Sequence, residues 1–242
     1  MKILFIRHGE PDYVNDSLTE KGWREAGYLS EKMVKIPVDE IYVSPLGRAR
    51  ATASLTEEKL KRKAVVLDWL EEFTSRIYKP NIPERRSVAW DWLPKDWMKK
   101  EGFFDRNLWK NDEILQEGRA PEIYDHVNDC LDLFLADHGY VREGEYYRVT
   151  KANNDTIVFF CHFAIECVML SHLLNLPPMV MLHQFCAAPT SVTTAVTEER
   201  TKGMAVFRMT SFGDTSHLYV HDEEPSFQAR FCECYENKDE RH

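Results

Sequence analysis

The chain opens on a short apolar run, residues 2–6 (Lys-Ile-Leu-Phe-Ile), which hands over at once to Arg7 and His8. A brief continuous run of this kind predicts a strand covered on both faces. Residues 155–161 (Asp-Thr-Ile-Val-Phe-Phe-Cys) form a second such run and deliver His162. Between the two the period changes. Ser17, Leu18 and Thr19 open an amphipathic helix reaching about Val34, with Thr19 as N-cap and Glu20 in the first turn, where the helix dipole favours negative charge. Pro37 ends it. Residues 40–44 read as a strand, 47–61 as a helix that turns basic at its end, and 64–67 as a third strand. Residues 121–138 place Ile123, Val127, Cys130, Leu131, Phe134 and Leu135 on one helical stripe. Residues 164–174 form a further helix, closed by Pro177-Pro178, and β-branched alternation at 191–197 and 204–210 predicts two final strands joined around Gly203. Strands alternating with helices predict an α/β fold, a three-layer sandwich with a mostly parallel central sheet and helices on both faces.

Residues 76–120 break the rhythm. They hold Pro80, Pro83 and Pro94, the tryptophans Trp90, Trp92, Trp97 and Trp109, and many charges. The stretch reads as irregular or helical material inserted into a single domain spanning 1–242, either a cap or lid over a pocket or a small aromatic core. Arg85-Arg86 within it either reach a second anionic group of a ligand or form a solvated face.

The 242 residues carry a formal charge of −9, and the mean hydropathy is −0.47. An acidic surface repels phosphate backbones, and no basic run offsets it, so nucleic acid is excluded as a general partner. The N-terminal apolar run is too short for a signal-peptide core or a membrane span, and no other stretch approaches spanning length. Cytoplasmic residence follows as the expectation. The six cysteines then read as reduced thiols. Cys232-x-Cys234, with His221 upstream, is a tail with two ordinary thiols, since four ligands at zinc spacing are not present; no metal site is expected.

In open α/β sheets, ligands bind beyond the carboxyl ends of the strands. The first strand delivers Arg7-His8-Gly9-Glu10, the second leads to Ser44-Pro45-Leu46-Gly47-Arg48, the third to Leu70-Glu71-Glu72-Phe73, and the strand ending at Cys161 delivers His162 at a helix start. Two histidines, two arginines and a carboxylate from one sheet edge make a set suited to phosphoryl transfer. Arginines and a helix N-terminus bind the anion, a histidine serves as nucleophile, and a carboxylate serves as acid and base. Glu71 and Glu72 compete for that last role, because alternation sends only one of them inward.

The set resembles the histidine phosphatase superfamily, the clan that includes cofactor-dependent phosphoglycerate mutases. Arg7-His8-Gly9-Glu10 is similar to the family's RHGE signature, Leu18-Thr19-Glu20-Lys21-Gly22 to its L-T-x-x-G, and residues 44–53 (SPLGRARATA) to its S-P-L-x-R-A-x-x-T-A. Leu70-Glu71-Glu72-Phe73 resembles its acidic motif, and His162 its second histidine. The chain departs from the pattern at Pro11 and Val14, where Thr and Asn are common, with Asn15 one place off, and at Phe163, where Gly is usual. The resemblance implies a phosphoglycerate mutase-like fold and catalysis by His8, Glu72 and His162. It also implies phosphate binding by Arg7, Arg48, His162 and the Phe163 amide, with no cofactor or metal. The implied activity is hydrolysis of a small-molecule phosphomonoester through a phosphohistidine on His8. A phosphoglycerate mutase using the same residues is the alternative, and a phosphate-binding regulator a third reading. The two late strands offer an edge for a homodimer.

Overall fold

A computed structural model describes residues 1–228, 230, 231 and 233–237. Strand β1 (Lys2–Arg7) leads into a loop in which β2 (Pro11–Asp12) pairs with β3 (Ser17–Leu18), and then into α1 (Glu20–Met33). β4 (Glu40–Val43), α2 (Gly47–Leu60) and β5 (Val65–Val66) follow. A hairpin of β6 (Arg76–Lys79) and β7 (Ile82–Val88), the short helices α3 (Pro94–Trp97) and α4 (Glu113–Glu117), and 3-10 turns between them precede α5 (Ala120–Asp137). A second hairpin, β8 (Tyr140–Glu143) and β9 (Tyr146–Val149), comes before β10 (Thr156–Cys161), α6 (Phe163–Leu174) and α7 (Pro178–Gln184). The long strands β11 (Val192–Thr201) and β12 (Met204–Asp214) are followed by α8 (Ser216–Tyr219).

The main sheet runs β5-β4-β10-β1-β11-β12-β9-β8. Its first four strands are mutually parallel, and the rest pair antiparallel. Alternation along the central strands feeds two cores. Ile3, Phe5, Ile157 and Phe159 point into one, shared with α5 and α6. Leu4, Ile6, Val158 and Phe160 point into the other, against Leu29 and Met33 of α1 and Ala49 and Ala53 of α2. The three-layer α/β arrangement read from the sequence is thus the architecture of the chain.

Three segments differ from the sequence reading. Residues 76–88 are a β-hairpin rather than irregular or helical, because the buried positions of β6 include Lys79, whose charge hides the period-two pattern. Lys79 is accommodated by backbone carbonyls, its ammonium donating to Trp90 (2.8 Å) and Asp91 (3.2 Å). Trp90, Trp92, Trp97 and Trp109 are buried in the larger core with the sheet, so the insertion packs as part of that core. Pro177-Pro178 does not only end α6. Pro178 opens α7, in a first turn where a missing N–H costs nothing. The hairpin of β8 and β9 adds two strands where the sequence pattern predicts none.

The RHGE loop is fixed by a glycine contact. A Cβ on Gly22 would lie 2.3 Å from the carbonyl oxygen of Glu10, and one on Gly9 would lie 2.8 Å from the carbonyl oxygen of Gly22. Gly27, in the same helix, has open space around it. Gly22→Ala should therefore destabilise the fold by about 1–3 kcal/mol through forced backbone movement. Gly27→Ala should stabilise it by about 0.5–1 kcal/mol by removing helical glycine. Urea unfolding of the two variants side by side checks this; similar effects from both would refute the close approach.

Candidate active site

Strand register brings the site together. Arg7 is paired with Cys161 across β1 and β10, and Phe160 with Val43 across β10 and β4. The residues that follow, His8, His162 and Ser44, therefore emerge side by side. The His8 amide donates to Cys161 (3.0 Å) and the Ser44 amide to Phe160 (2.9 Å), carrying the pairing one step past the strands.

His8 is 3% exposed. Its Nδ1 lies 2.7 Å from the Gly9 carbonyl oxygen. A carbonyl can only accept, so Nδ1 carries the proton and Nε2 keeps its lone pair. The Gly9 amide donates to the Thr52 hydroxyl (2.9 Å), which donates to the Arg48 carbonyl (2.8 Å), tying the loop to α2. His162 is fully buried at the N-cap of α6, its ring 5.1 Å from that of His8, centroid to centroid. Its Nε2 is 2.7 Å from the Ser44 hydroxyl, while Nδ1 is buried with no partner among the described residues. Burial is the largest cause holding both imidazoles well below their ordinary pKa. Arg7 and Arg48 add to it at both, and His8 adds to it at His162. Both rings are neutral at physiological pH.

Arg7 is 3% exposed and is held by oxygen acceptors that carry no charge. Its Nη1 donates to the carbonyls of Ala187 (2.5 Å) and Gln228 (3.1 Å), and the guanidinium sits 5.9 Å from the centre of the Phe163 ring. Arg48 opens α2 and donates to Asp16 (2.7 Å). The other oxygen of Asp16 accepts from the Gly47 amide (2.6 Å), supplying the side-chain cap that Leu46 cannot. Burial raises the Asp16 carboxyl, but the Gly47 amide and Arg48 outweigh it and hold it below its ordinary value.

Of the two adjacent acids, Glu71 is exposed and Glu72 turns inward. One Glu72 oxygen accepts from the amides of Phe73 (2.9 Å) and Ile165 (3.1 Å), the latter in the first turn of α6. Burial raises its pKa, more than these amides, Arg7 and Arg48 lower it. Phe163 is the first residue of α6, and its ring faces Arg7 where the usual glycine has no side chain. Arg86 lies elsewhere, paired with Glu117 (3.2 Å) over the Tyr78 ring.

The structure therefore brings Arg7, His8, Arg48, Glu72, His162 and Phe163 to one place. The sequence reading missed Asp16, whose position depends on a left-handed backbone (φ 45°), and Ser44, which sat unremarked at the head of the SPLGR segment. Cys232 lies outside the described residues. Among the described residues no group of three or more His, Cys, Asp or Glu is arranged to hold a metal ion, and no helix is long and apolar enough to cross a membrane.

The sequence profile of the histidine phosphatase superfamily (branch 1) matches residues 3–113. This N-terminal part of the chain is similar to the histidine phosphatase superfamily. Among curated members, a 2,3-bisphosphoglycerate-dependent phosphoglycerate mutase 2 of Arabidopsis thaliana is 33% identical over 100 residues. That match covers 34% of this chain and 30% of the mutase's length. Among solved structures, a phosphoserine phosphatase mutant from Entamoeba histolytica in complex with phosphoserine superposes with a TM-score of 0.59 at 22% identity, covering 90% of this chain and 98% of that one. A mycobacterial glucosyl-3-phosphoglycerate phosphatase gives 0.56 at 18% identity, covering 87% and 98%. The fold shared with these structures thus extends well beyond the stretch matched by the family profile.

Keeping neutral imidazoles buried makes stability depend on pH. As pH falls below about 6.5, the unfolded chain binds protons at His8 and His162 while the folded chain resists. Stability present above that pH is therefore lost on acidification, by up to about 1.4 kcal/mol per pH unit for each histidine. His162→Asn should flatten the decline in urea-unfolding free energy between about pH 6.5 and 5 by one such slope. An unchanged slope would mean that His162 titrates normally in the folded protein.

Proposed function

We propose that the chain is a metal-independent phosphatase that hydrolyses a small phosphomonoester through a phosphohistidine on His8. The observation that carries this is the pair of buried neutral imidazoles at neighbouring strand ends, ringed by two guanidiniums and an inward carboxyl of raised pKa. The Nε2 lone pair of His8 attacks phosphorus, and the P–O ester bond breaks. Arg7, Arg48, the Phe163 amide and a proton on Nδ1 of His162 (with Ser44 donating to Nε2) meet the charge on the transferring group. Glu72, which burial keeps protonated beyond the ordinary carboxyl range, gives its proton to the leaving oxygen. The resulting carboxylate then takes a proton from water, whose oxygen attacks phosphorus. The P–N bond breaks, phosphate leaves, and Glu72 regains its acid form. The likeness to phosphatases of phosphoserine and glucosyl-3-phosphoglycerate supports a small ester as substrate, acting in the cytoplasm. The local match to a bisphosphoglycerate-dependent mutase favours, as second reading, return of the phosphoryl group to a sugar acid by the same residues.

Phosphate release from an aryl phosphate and a panel of metabolite phosphates, with EDTA present, tests the proposal. Turnover should survive EDTA and be lost in His8→Ala, and Glu72→Gln should lower kcat by about 10²–10⁴-fold. Activity that depends on added metal, or that persists in His8→Ala, would overturn it. Turnover that appears only with 3-phosphoglycerate and a bisphosphate primer would select the mutase.

A further inference from the structure

The loop between α7 and β11 grips the Arg7–His8 peptide, yet none of its residues enters the scheme above. The ladder between β1 and β11 ends with Ile6 opposite Val192. Beyond it the Arg7 amide donates to the Ser191 carbonyl (3.3 Å). The Thr190 amide then donates across to the carbonyls of Arg7 (3.0 Å) and His8 (3.3 Å). Nη1 of Arg7 donates to the Ala187 carbonyl (2.5 Å). Residues 187–191 therefore hold both the backbone and the side chain of Arg7.

Thr190 is the turning point of this segment, and its backbone is left-handed (φ 59°). A branched Cβ is strained there, where glycine sits freely. Strain of this kind persists only where the surroundings over-determine it, and it collects at functional sites. The surroundings of Thr190 are specific. The residue is 0% exposed. Its hydroxyl donates to the Pro189 carbonyl (2.7 Å), which uses its one proton. The hydroxyl oxygen is then an acceptor for Nε2 of His217, 3.0 Å away in α8. His217 is buried as well, and burial, aided by Lys32 and His221 against Asp214, holds its pKa at about 4. The ring is neutral and carries its single proton on Nε2, while Nδ1 has no partner among the described residues.

We infer that Thr190 and His217 are positioning residues: His217 locks the Thr190 hydroxyl, the locked turn aims the Thr190 amide, and that amide sets where Arg7 and His8 stand against the transferring group. This rests on the proposed phosphoryl site at His8. It accounts for a threonine at a position that glycine would fill without strain. Only a side chain with an oxygen can be pinned from α8, and pinning removes the freedom that a glycine turn keeps. A reacting group misplaced by about 1 Å can cost about 10²-fold in rate. A turn that holds the nucleophile's own peptide therefore acts on kcat more than on affinity.

Steady-state turnover of an aryl phosphate, or of whichever metabolite phosphate turns over fastest, tests this. Thr190→Val keeps the branched shape and removes the hydroxyl. Its kcat should fall about tenfold while KM changes by less than about threefold. Thr190→Ser, which keeps the hydroxyl, should retain most of the wild-type kcat. His217→Leu should lower kcat as far as Thr190→Val does, and the double variant should fall no further, because both changes remove the same contact. Melting curves establish that each variant is folded, and Thr190→Val against Thr190→Ser decides the matter if His217→Leu does not fold. Wild-type kcat in folded Thr190→Val, a Thr190→Ser variant as slow as Thr190→Val, or losses that multiply in the double variant would overturn the positioning role and leave the phosphoryl site standing. Wild-type protein inactive on every ester of the panel would overturn the site reading itself, and this inference with it.

Discussion

The parallel register of β1 against β10, and of β10 against β4, is the constraint from which the rest follows. β1 and β10 end level and β4 ends one residue earlier, so three loops start within one step of each other, and each begins with a candidate site residue: His8, His162 and Ser44. The apolar runs 3–6 and 157–160 can hold this register because their alternating side chains load both cores at once, and a slip of one residue would exchange the cores they fill. The precision of the site is therefore set by strand packing, with the loops finished by single contacts. The Gly9–Gly22 approach fixes where the RHGE loop turns, and Asp16 fixes where α2 begins.

The electrostatic character of the site comes from burial with partners that carry no charge. Arg7 donates from Nη1 to peptide carbonyls and, among the described residues, to no carboxylate, so its positive charge is not paired off there. The same low-dielectric surroundings keep the histidines neutral and Glu72 protonated beyond its usual range. One environment thus leaves an imidazole with a free lone pair beside a carboxyl that holds its proton, which is what the proposed function asks of them. Arg48 is arranged differently: it is paired with the Asp16 carboxylate, which offsets its charge.

Much of this was legible in the sequence because it is local. The apolar runs at 2–6 and 155–161, the capping Thr19 and the residues Arg7, His8, Arg48 and His162 stand in short patterns whose meaning does not depend on distant chain. Alternation also made a choice between Glu71 and Glu72 necessary, and the structure turns Glu72 inward. What stayed hidden depends on tertiary placement. Asp16 acts through a left-handed turn that no side-chain pattern announces. Lys79 occupies a buried position of β6, so the hairpin reads as charged insertion. Thr190 looks like the lead-in to a β-branched strand until its backbone is seen to turn left-handed.

The strand that ends at Arg7 and leads to His8 precedes its sheet neighbours in the chain, yet it lies in the middle of the sheet, and both its partners come from residues 156–201. During synthesis its two unpaired edges must wait until most of the chain has emerged. The sheet cannot close around it by local hairpin formation, so its contacts are of long sequence separation and slow to form. An apolar strand left open in this way is a site for mispairing with other nascent chains. The arrangement that places His8 at the centre of the sheet therefore makes closure around β1 a late event, since neither of its edges is paired until β10 and β11 arrive.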